Sequence, residues 1–403
     1  MFITSNRVLL LERKHAMRIL SIETSCDETA IAIADFTRAP TGARVNVSSH
    51  IVSSQTRIHA AFGGVVPNLA RREHQQNLVP TLMSALTQAQ MLAPQAPARH
   101  QAVSVILERE QYLLSLVKKH LLAIAPPPID AIAATYGPGL APALWVGVNF
   151  ARALAELWQK PLIPVNHMAG HFFSALLQKD KKQEASFSIP SVPFPVLGLL
   201  VSGGHTELVL VKKPWHFSII GTTLDDAVGE AYDKIGRLMG LSYPGGPALS
   251  HLAAQGDARK YHLPSPMLNT KDYHFSFSGL KTAAFYLIRG LPPATFEAER
   301  KADIAASFEK AALDVLVKKT LRAAKEYKAK TVLIGGGVSA NRVLRKRLGD
   351  TLAHELPACR FLAPDPALAG DNALMIATAA YMTGMKKARN ISDVRADANV
   401  VLG

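Results

Sequence analysis

Twice in this chain a short apolar run, a small polar turn and a second apolar run follow one another. Arg18–Glu23, Thr24–Thr29 and Ala30–Asp35 form the first set; Val196–Val201, Ser202–His205 and Thr206–Val211 form the second. Runs of this length, rich in Ile, Leu and Val and bounded by hydroxyls or glycine, predict strand hairpins whose tips present backbone N–H groups. The same opening in two halves, each followed by strands alternating with helical patterns, confines the chain to a duplicated α/β architecture. A length of 403 residues exceeds what one core usually holds. The reading is therefore a leader over 1–16, an N-terminal lobe over 17–177 and a C-terminal lobe over 196–403 that carries the nucleotide and substrate motifs.

Within the first half, a strand is expected over Val45–Ser53 and a helix over Pro67–Leu92. Ala93–Pro128 opens and closes with Pro/Ala-rich loops around an amphipathic helix at Val103–Ala123, as an inserted surface element would. A strand at Ile129–Tyr136 ends in Gly137-Pro138-Gly139-Leu140, a turn before a helix that runs through Trp158. Gln178–Pro195 is polar and proline-rich and reads as a loop or linker. Met1–Ala16 has too short an apolar core for a signal peptide; either Met17, directly before the first strand, is the functional start or the leader is a loose tail. No apolar run spans a bilayer. Two cysteines, Cys26 and Cys359, build no disulfide framework and fit a reducing cytoplasm, with an organelle as the alternative because the leader carries arginines. A formal net charge of +14 calls for an anionic partner, nucleic acid first. Arg71, Arg72 and the cluster Arg342, Arg345, Lys346, Arg347 are its candidate contacts, set against ordinary solvated charge.

His167 and His171 stand four apart and so share one face of a helix, a spacing that suits two ligands of one metal ion. The protease form of such a pair has Glu after the first His. Here Met168 stands there and cannot accept a proton, so a metal would hold or polarise a substrate. Asp371, before an apolar helix, reads either as an N-cap or as the third ligand. Ser202-Gly203-Gly204 and Gly335-Gly336-Gly337 sit at strand ends where backbone N–H groups can meet a phosphate, although tight turns use glycine in any case. Asp226, Glu230 and Asp233 fall on one face of a helical stretch, as a solvated acidic face or as acceptors for a ribose diol.

Seven motifs stand in one order: Ile22–Thr29, His167–His171, Leu200–Glu207, Gly229–Lys234, Tyr243–Pro247, Phe275–Thr282 and Gly335–Arg345. Over Met17 to Tyr381 the chain resembles the TsaD family, the tRNA N6-adenosine threonylcarbamoyltransferases once described as glycoproteases. The resemblance implies a two-lobed actin-like fold of the sugar kinase/Hsp70 type, with duplicated RNase H-like domains and an interlobe cleft. It implies transfer of a threonylcarbamoyl group from threonylcarbamoyl-AMP to N6 of adenosine 37 in tRNAs reading ANN codons. By motif position, His167, His171 and Asp371 would bind one divalent metal per chain, Fe2+ first and Zn2+ second. Leu200, Val201, Ser202, Gly203, Gly204, Asp233, Gly246 and Asn341 would bind the substrate. Asp27 or Glu28, on the first turn, would take the amine proton. TsaB and TsaE-like proteins would be partners if the source is bacterial, a homodimer is a further expectation, and no membrane is involved. The rivals are an ATP-dependent kinase of the same fold, which has no use for the His pair, and a nucleotide-binding regulatory protein, which would bind nucleotide and give no tRNA product.

Overall fold

The structure, a computed structural model, describes residues 16–96, 101–180, 183, 185–290, 298–386, 388 and 390–403. Of the expected leader only Ala16 falls within them; 1–15 lie outside the described residues.

The chain opens with three strands, β1 (Met17–Glu23), β2 (Glu28–Ala39) and β3 (Gly42–Ser54). Helices α1 (Thr56–Ala60), α2 (Pro67–Gln88), α3 (Gln101–Ile106) and α4 (Gln111–His120) follow. Then come β4 (Ala131–Gly137), α5 (Ala141–Trp158), β5 (Leu162–Asn166) and α6 (His167–Ser174). Strands β6 (Gln178–Lys179) and β7 (Ser186–Pro190) close the first sheet, in the order β5-β4-β1-β2-β3-β7-β6. The second sheet begins with β8 (Val196–Val201), β9 (Thr206–Val211) and β10 (Phe217–Thr222). Helices α7 (Val228–Leu238), α8 (Gly245–Ala253), α9 (Ser278–Gly290) and α10 (Ala298–Glu326) lead to β11 (Thr331–Gly335). The strands and α-helices among the described residues end with α11 (Arg342–Glu355), β12 (Arg360–Leu362) and α12 (Ala373–Met382).

The repeated opening is a repeated topology. β1 pairs antiparallel with β2 and parallel with β4, which pairs parallel with β5. In the second sheet β8 pairs antiparallel with β9 and parallel with β11, which pairs parallel with β12. In each sheet the hairpin turn and the end of the inner parallel strand come out at the same edge, where ligands of open α/β sheets rest.

Two expectations about local structure are corrected. The single helix expected over Val103–Ala123 is two, α3 and α4. The chain breaks at Glu110, whose backbone leaves the helical region at φ −120° and ψ 56°. That turn points a buried carboxylate at Arg71 Nη2 (3.1 Å) and Gln75 Nε2 (2.5 Å). The loop expected over Gln178–Pro195 contains β6 and β7, and β7 pairs with β3 from Asn46↔Ser186 to Gly42↔Pro190. Phe187 and Ile189 point inward around an exposed Ser188, a short two-residue alternation masked by the surrounding prolines and lysines.

One core lies between the sheets. It joins Ile19, Ala32 and Phe36 of the first sheet to Val196, Leu200, Val209 and Leu333 of the second, through the buried helices α6 and α12. Helix α12, late in sequence, packs on β1, β2 and β5, and the Ser21 hydroxyl donates to the Ala373 carbonyl at 2.6 Å. The contact of α12 with α6 runs through Gly170. A Cβ there would stand 3.0 Å from both Ile376 Cδ1 and Met375 Cγ, so the helices approach as closely as a residue without a side chain allows. Overpacking a close contact of this kind costs about 1–3 kcal/mol. Gly170→Val is therefore expected to lower the thermal midpoint by several degrees and, by pushing α12 away, to weaken metal binding. Calorimetry and metal titration check the two effects separately.

Candidate metal and substrate site

The His pair sits where β5 passes straight into α6. Asn166 caps that helix, its Oδ1 accepting from Met168 N (2.9 Å) and Ala169 N (3.2 Å), which fixes the first turn and the direction of His167. All eight residues of α6 are buried. Asp371 stands just ahead of α12, which is capped by Asn372, not by Asp371: Asn372 Oδ1 accepts from Met375 N at 3.0 Å. The Asp371 carboxylate is thus left to face the two rings. Its Oδ1 lies 3.1 Å from His171 Nε2 and 3.5 Å from His167 Nε2. One ligand atom from each residue falls within 4.8 Å of the others.

These residues fit a metal ion. His171 is fully buried, yet neither ring nitrogen satisfies hydrogen-bond geometry, Nε2 included despite its closeness to Asp371. Buried ring nitrogens are rarely left so. Atoms that converge without lining up as donor and acceptor are arranged for a shared centre. Two His and one carboxylate leave coordination positions open.

Behind His167 stands Glu23, a fully buried carboxylate at the end of β1. It accepts from Ser25 N (2.5 Å) and Thr135 Oγ1 (2.5 Å) and lies 3.1 Å from His167 Nδ1. A carboxylate on the far nitrogen fixes which nitrogen of a ligating His faces the metal. Burial alone would push Glu23 up, but the His167 ring and Ser25 hold it below its usual value. For His167 burial pulls down, while Asp371 and Glu23 outweigh it and lift the ring to about 9. His171 moves the other way, lowered by burial and by the charge of His167. Glu23 was not among the residues singled out from sequence. The signal was an acid closing an otherwise apolar strand.

His205, on the second hairpin turn, also comes near. Burial first, then the charges of His167 and His171, lower it to about 4, so it is a neutral imidazole beside the triad. Asp27, on the first hairpin turn, and Glu28, which opens β2, stand at the same edge. Burial, then Asp27 and Asp371, push Glu28 up to about 10, so at neutral pH it carries a proton, and Ser54 Oγ donates to it at 3.2 Å.

The glycine turns lie close to the triad, at the ends of β8 and β11. A Cβ on Gly203, Gly204 or Gly337 would meet nothing within 4 Å, so these turns face open space. Gly336, at φ +88°, would drive a Cβ to 2.3 Å from the Val201 carbonyl, and Gly335 would drive one to 2.3 Å from that of His171. The turn is therefore pinned to both β8 and the metal helix. Leu200 and Val201 are buried with their side chains in the core, so only their backbone can reach a ligand. Asp233 Oδ1 accepts from Gly246 N at 3.0 Å, and burial raises its carboxyl. The acidic face expected with it divides. Asp226 precedes α7 and pairs with Lys234 (2.8 Å) and Lys281 (2.5 Å), and Glu230 pairs with Lys234 (2.7 Å), leaving Asp233 as the acid of that group without a lysine among the described residues. Asn341 caps α11 through Leu344 N (2.8 Å), and its Nδ2 donates to Ser250 (2.9 Å) and Glu309 (2.8 Å). It thereby sets the place of the glycine turn.

The basic clusters are less available than their sequence suggests. Arg71 binds Glu110, Arg345 donates to the carbonyls of Ser339 and Pro364, Lys346 pairs with Asp350 and Arg347 with Asp314.

The first hairpin tip is held by His74, which is buried on α2. Its Nδ1 lies 2.8 Å from Thr29 Oγ1 and its Nε2 3.0 Å from the Cys26 carbonyl. Burial lowers this ring from 6.5 to about 4. A His depressed on folding adds stability above its unfolded value, and that stability is lost as pH falls from 6.5 toward 4, here roughly 3 kcal/mol. The thermal midpoint should therefore drop over that window, and His74→Gln, which cannot charge, should flatten the drop.

The model of the family described as TsaD, tRNA N6-adenosine threonylcarbamoyltransferase, matches residues 46–96 and 110–378. Similar curated proteins of that name are those of Thermomicrobium roseum (41% identical; 96% of this chain, 97% of the relative), Thermosipho africanus (39%; 95% and 99%) and Enterococcus faecalis (39%; 93% and 92%). Among solved structures, full-length HypF in its phosphate- and nucleotide-bound form aligns at TM-score 0.50 and 12% identity, over 93% of this chain and 56% of that one. That likeness concerns the fold alone.

Proposed function

As a member of the TsaD family, the chain is a tRNA N6-adenosine threonylcarbamoyltransferase acting on tRNA, and we propose how its own side chains divide that reaction. The donor is threonylcarbamoyl-AMP, a mixed carbamic–phosphoric anhydride, and the acceptor is N6 of adenosine 37 in tRNAs reading ANN codons. The phosphate rests on the N–H groups of Gly203 and Gly204, where no Cβ obstructs it, while Ser202 holds the turn, its N–H donating to the His205 carbonyl at 2.9 Å, and Asp233 accepts from the ribose. Leu200, Val201, Gly246 and Asn341 contribute backbone and placement.

The adenine amine attacks the carbamoyl carbon, a C–N bond forms, and the bond to the phosphate oxygen breaks, with AMP taking the electron pair. The exocyclic amine is a poor nucleophile, so positioning carries much of the barrier. Its proton goes to Asp27, because a protonated Glu28 is a donor at neutral pH. Glu28 is better suited to giving a hydrogen bond to the departing side. A divalent ion held by His167, His171 and Asp371, Fe2+ in preference to Zn2+, would supply Lewis acidity toward the carbamoyl oxygen. Glu23 keeps His167 turned for that role. The convergence of the three ligand atoms within 4.8 Å, beside glycine turns open to solvent, carries this reading. A kinase of the same fold would need the turns but not the triad. No helix among the described residues is long and apolar enough to cross a membrane. A cytoplasmic setting and cooperation with TsaB and TsaE-like proteins, or with a second copy, belong to the same proposal.

Incubation with threonylcarbamoyl-AMP and unmodified ANN-reading tRNA, with nucleoside mass spectrometry, tests it. Wild type should yield the modified adenosine, with partners added if needed, and contain about one metal per chain, the stoichiometry that a single set of three ligands implies. His171→Ala should lose both product and metal. Asp27→Asn should lower kcat by about 10²–10⁴, the usual worth of a general base, whereas Glu28→Gln, which mimics the protonated acid, should keep most activity. The opposite order in the two variants would exchange their roles.

A further inference from the structure

A cavity of about 650 Å3, lined by none of the triad residues, opens between α2, α5 and the stretch around Val105–Glu110. Part of its lining, Val105 to Arg109, comes from residues 97–109, which the family model leaves unmatched. The cavity is thus built partly by a segment outside the family pattern. The facing wall is one side of α5, where Trp145, Asn149 and Arg152 stand four and three apart and share a face.

The chemistry of that face is an aromatic plane followed by an amide and a guanidinium. Trp145 is 36% exposed. Arg152 Nη1 donates to Asn149 Oδ1 at 3.3 Å, while its Nε is buried without a partner. Arg109 is exposed across from it. Among the described residues no carboxylate pairs with Arg109 or Arg152, in contrast to Arg71, Lys346 and Arg347. Two carboxylates also line the cavity, exposed Glu108 and buried Glu110, the second of them paired with Arg71.

The cavity is also tied to the reaction site. Ala141 and Pro142, which line it, begin α5, and just ahead of them Leu140 N donates to the Ser25 carbonyl at 2.8 Å. The Ser25 hydroxyl lies 3.1 Å from His167 Nδ1. At 1.5 Å per residue Trp145 and Arg152 stand about 6 and about 16 Å farther along the helix.

We propose that this cavity receives a nucleotide of the tRNA flanking the acceptor adenosine, its base against Trp145 and its phosphate on Arg109 and Arg152. The proposal rests on the transferase reading above. Unpaired RNA is recognised by stacking on aromatic side chains with guanidinium groups on the phosphates, and the volume suits one nucleotide. An acidic peptide would use the arginines but would leave the indole plane without a role.

Steady-state transfer kinetics of the full-length chain, in the partner mixture that supports wild-type activity, test this. Trp145→Ala is expected to raise KM for tRNA about tenfold, the scale of one lost base stack. Arg109→Ala and Arg152→Ala should each raise it and make its dependence on salt shallower by about 0.7 in the log–log slope. KM for threonylcarbamoyl-AMP and metal content should stay at wild-type values, and Trp145→Phe should recover most of the loss. If Arg152→Ala fails to fold by circular dichroism, exposed Arg109→Ala carries the test. An unchanged tRNA KM and salt slope in Trp145→Ala and Arg109→Ala overturns the proposal, as does an equal rise in both KM values. Variants that lose a protein partner while tRNA KM stays fixed overturn it too, and make the cavity a protein-docking site. A wild-type chain that yields no modified adenosine under any partner mixture counts instead against the transferase reading.

Discussion

The close approach of α6 and α12 at Gly170 is the contact on which the rest of the molecule depends. It brings a carboxylate from late in the chain over two imidazoles from its middle. It also fills the space between two sheets that would otherwise present apolar faces to each other without a filling layer. The same packing excludes water from one side of the triad: His171 is fully buried, and Asp371 keeps the partial exposure through which a substrate must enter. Core and chemistry share one interface, so a change that loosens the first disturbs the second.

Much of this was legible in the residues. The duplicated hairpins were visible because buried strands carry continuous Ile, Leu and Val and their turns carry glycine and hydroxyls. The His pair was visible because helical spacing is fixed by covalent geometry. Asp371 could be matched to it only through the resemblance, since nothing local distinguishes a ligand from an N-cap. The structure separates the two roles by giving the cap to Asn372. Strand β7 escaped notice because a five-residue alternation among prolines and lysines carries little periodic signal. Glu23 escaped because its meaning lies wholly in what faces it: Ser25, Thr135 and His167 come from different segments.

Charge was the least legible property. Pairing partners are distant in sequence, so a run of acids or arginines says nothing of what neutralises it. Asp226 and Glu230 resembled a binding face until Lys234 and Lys281 were seen beside them. Arg345 and Arg347 resembled a nucleic-acid patch, yet they brace their own helix against neighbouring segments. Where the fold leaves Arg109 and Arg152 without a carboxylate among the described residues, basic charge is free to act outward. That surplus could not be told from the rest by counting.

The return of α12 to the first sheet has a consequence for biosynthesis. Strands β1, β2 and β5 emerge from the ribosome early, but the helix that covers them follows His171 by about two hundred positions. Domains ordinarily fold as their segments appear. Here the first sheet must wait, with one face unsealed, until the second sheet and α12 have been made. A nascent chain interrupted before Asp371 lacks both a closed core and a complete ligand set, so truncated products are marked for chaperones and proteases by exposed apolar surface and do not persist as half-active enzyme.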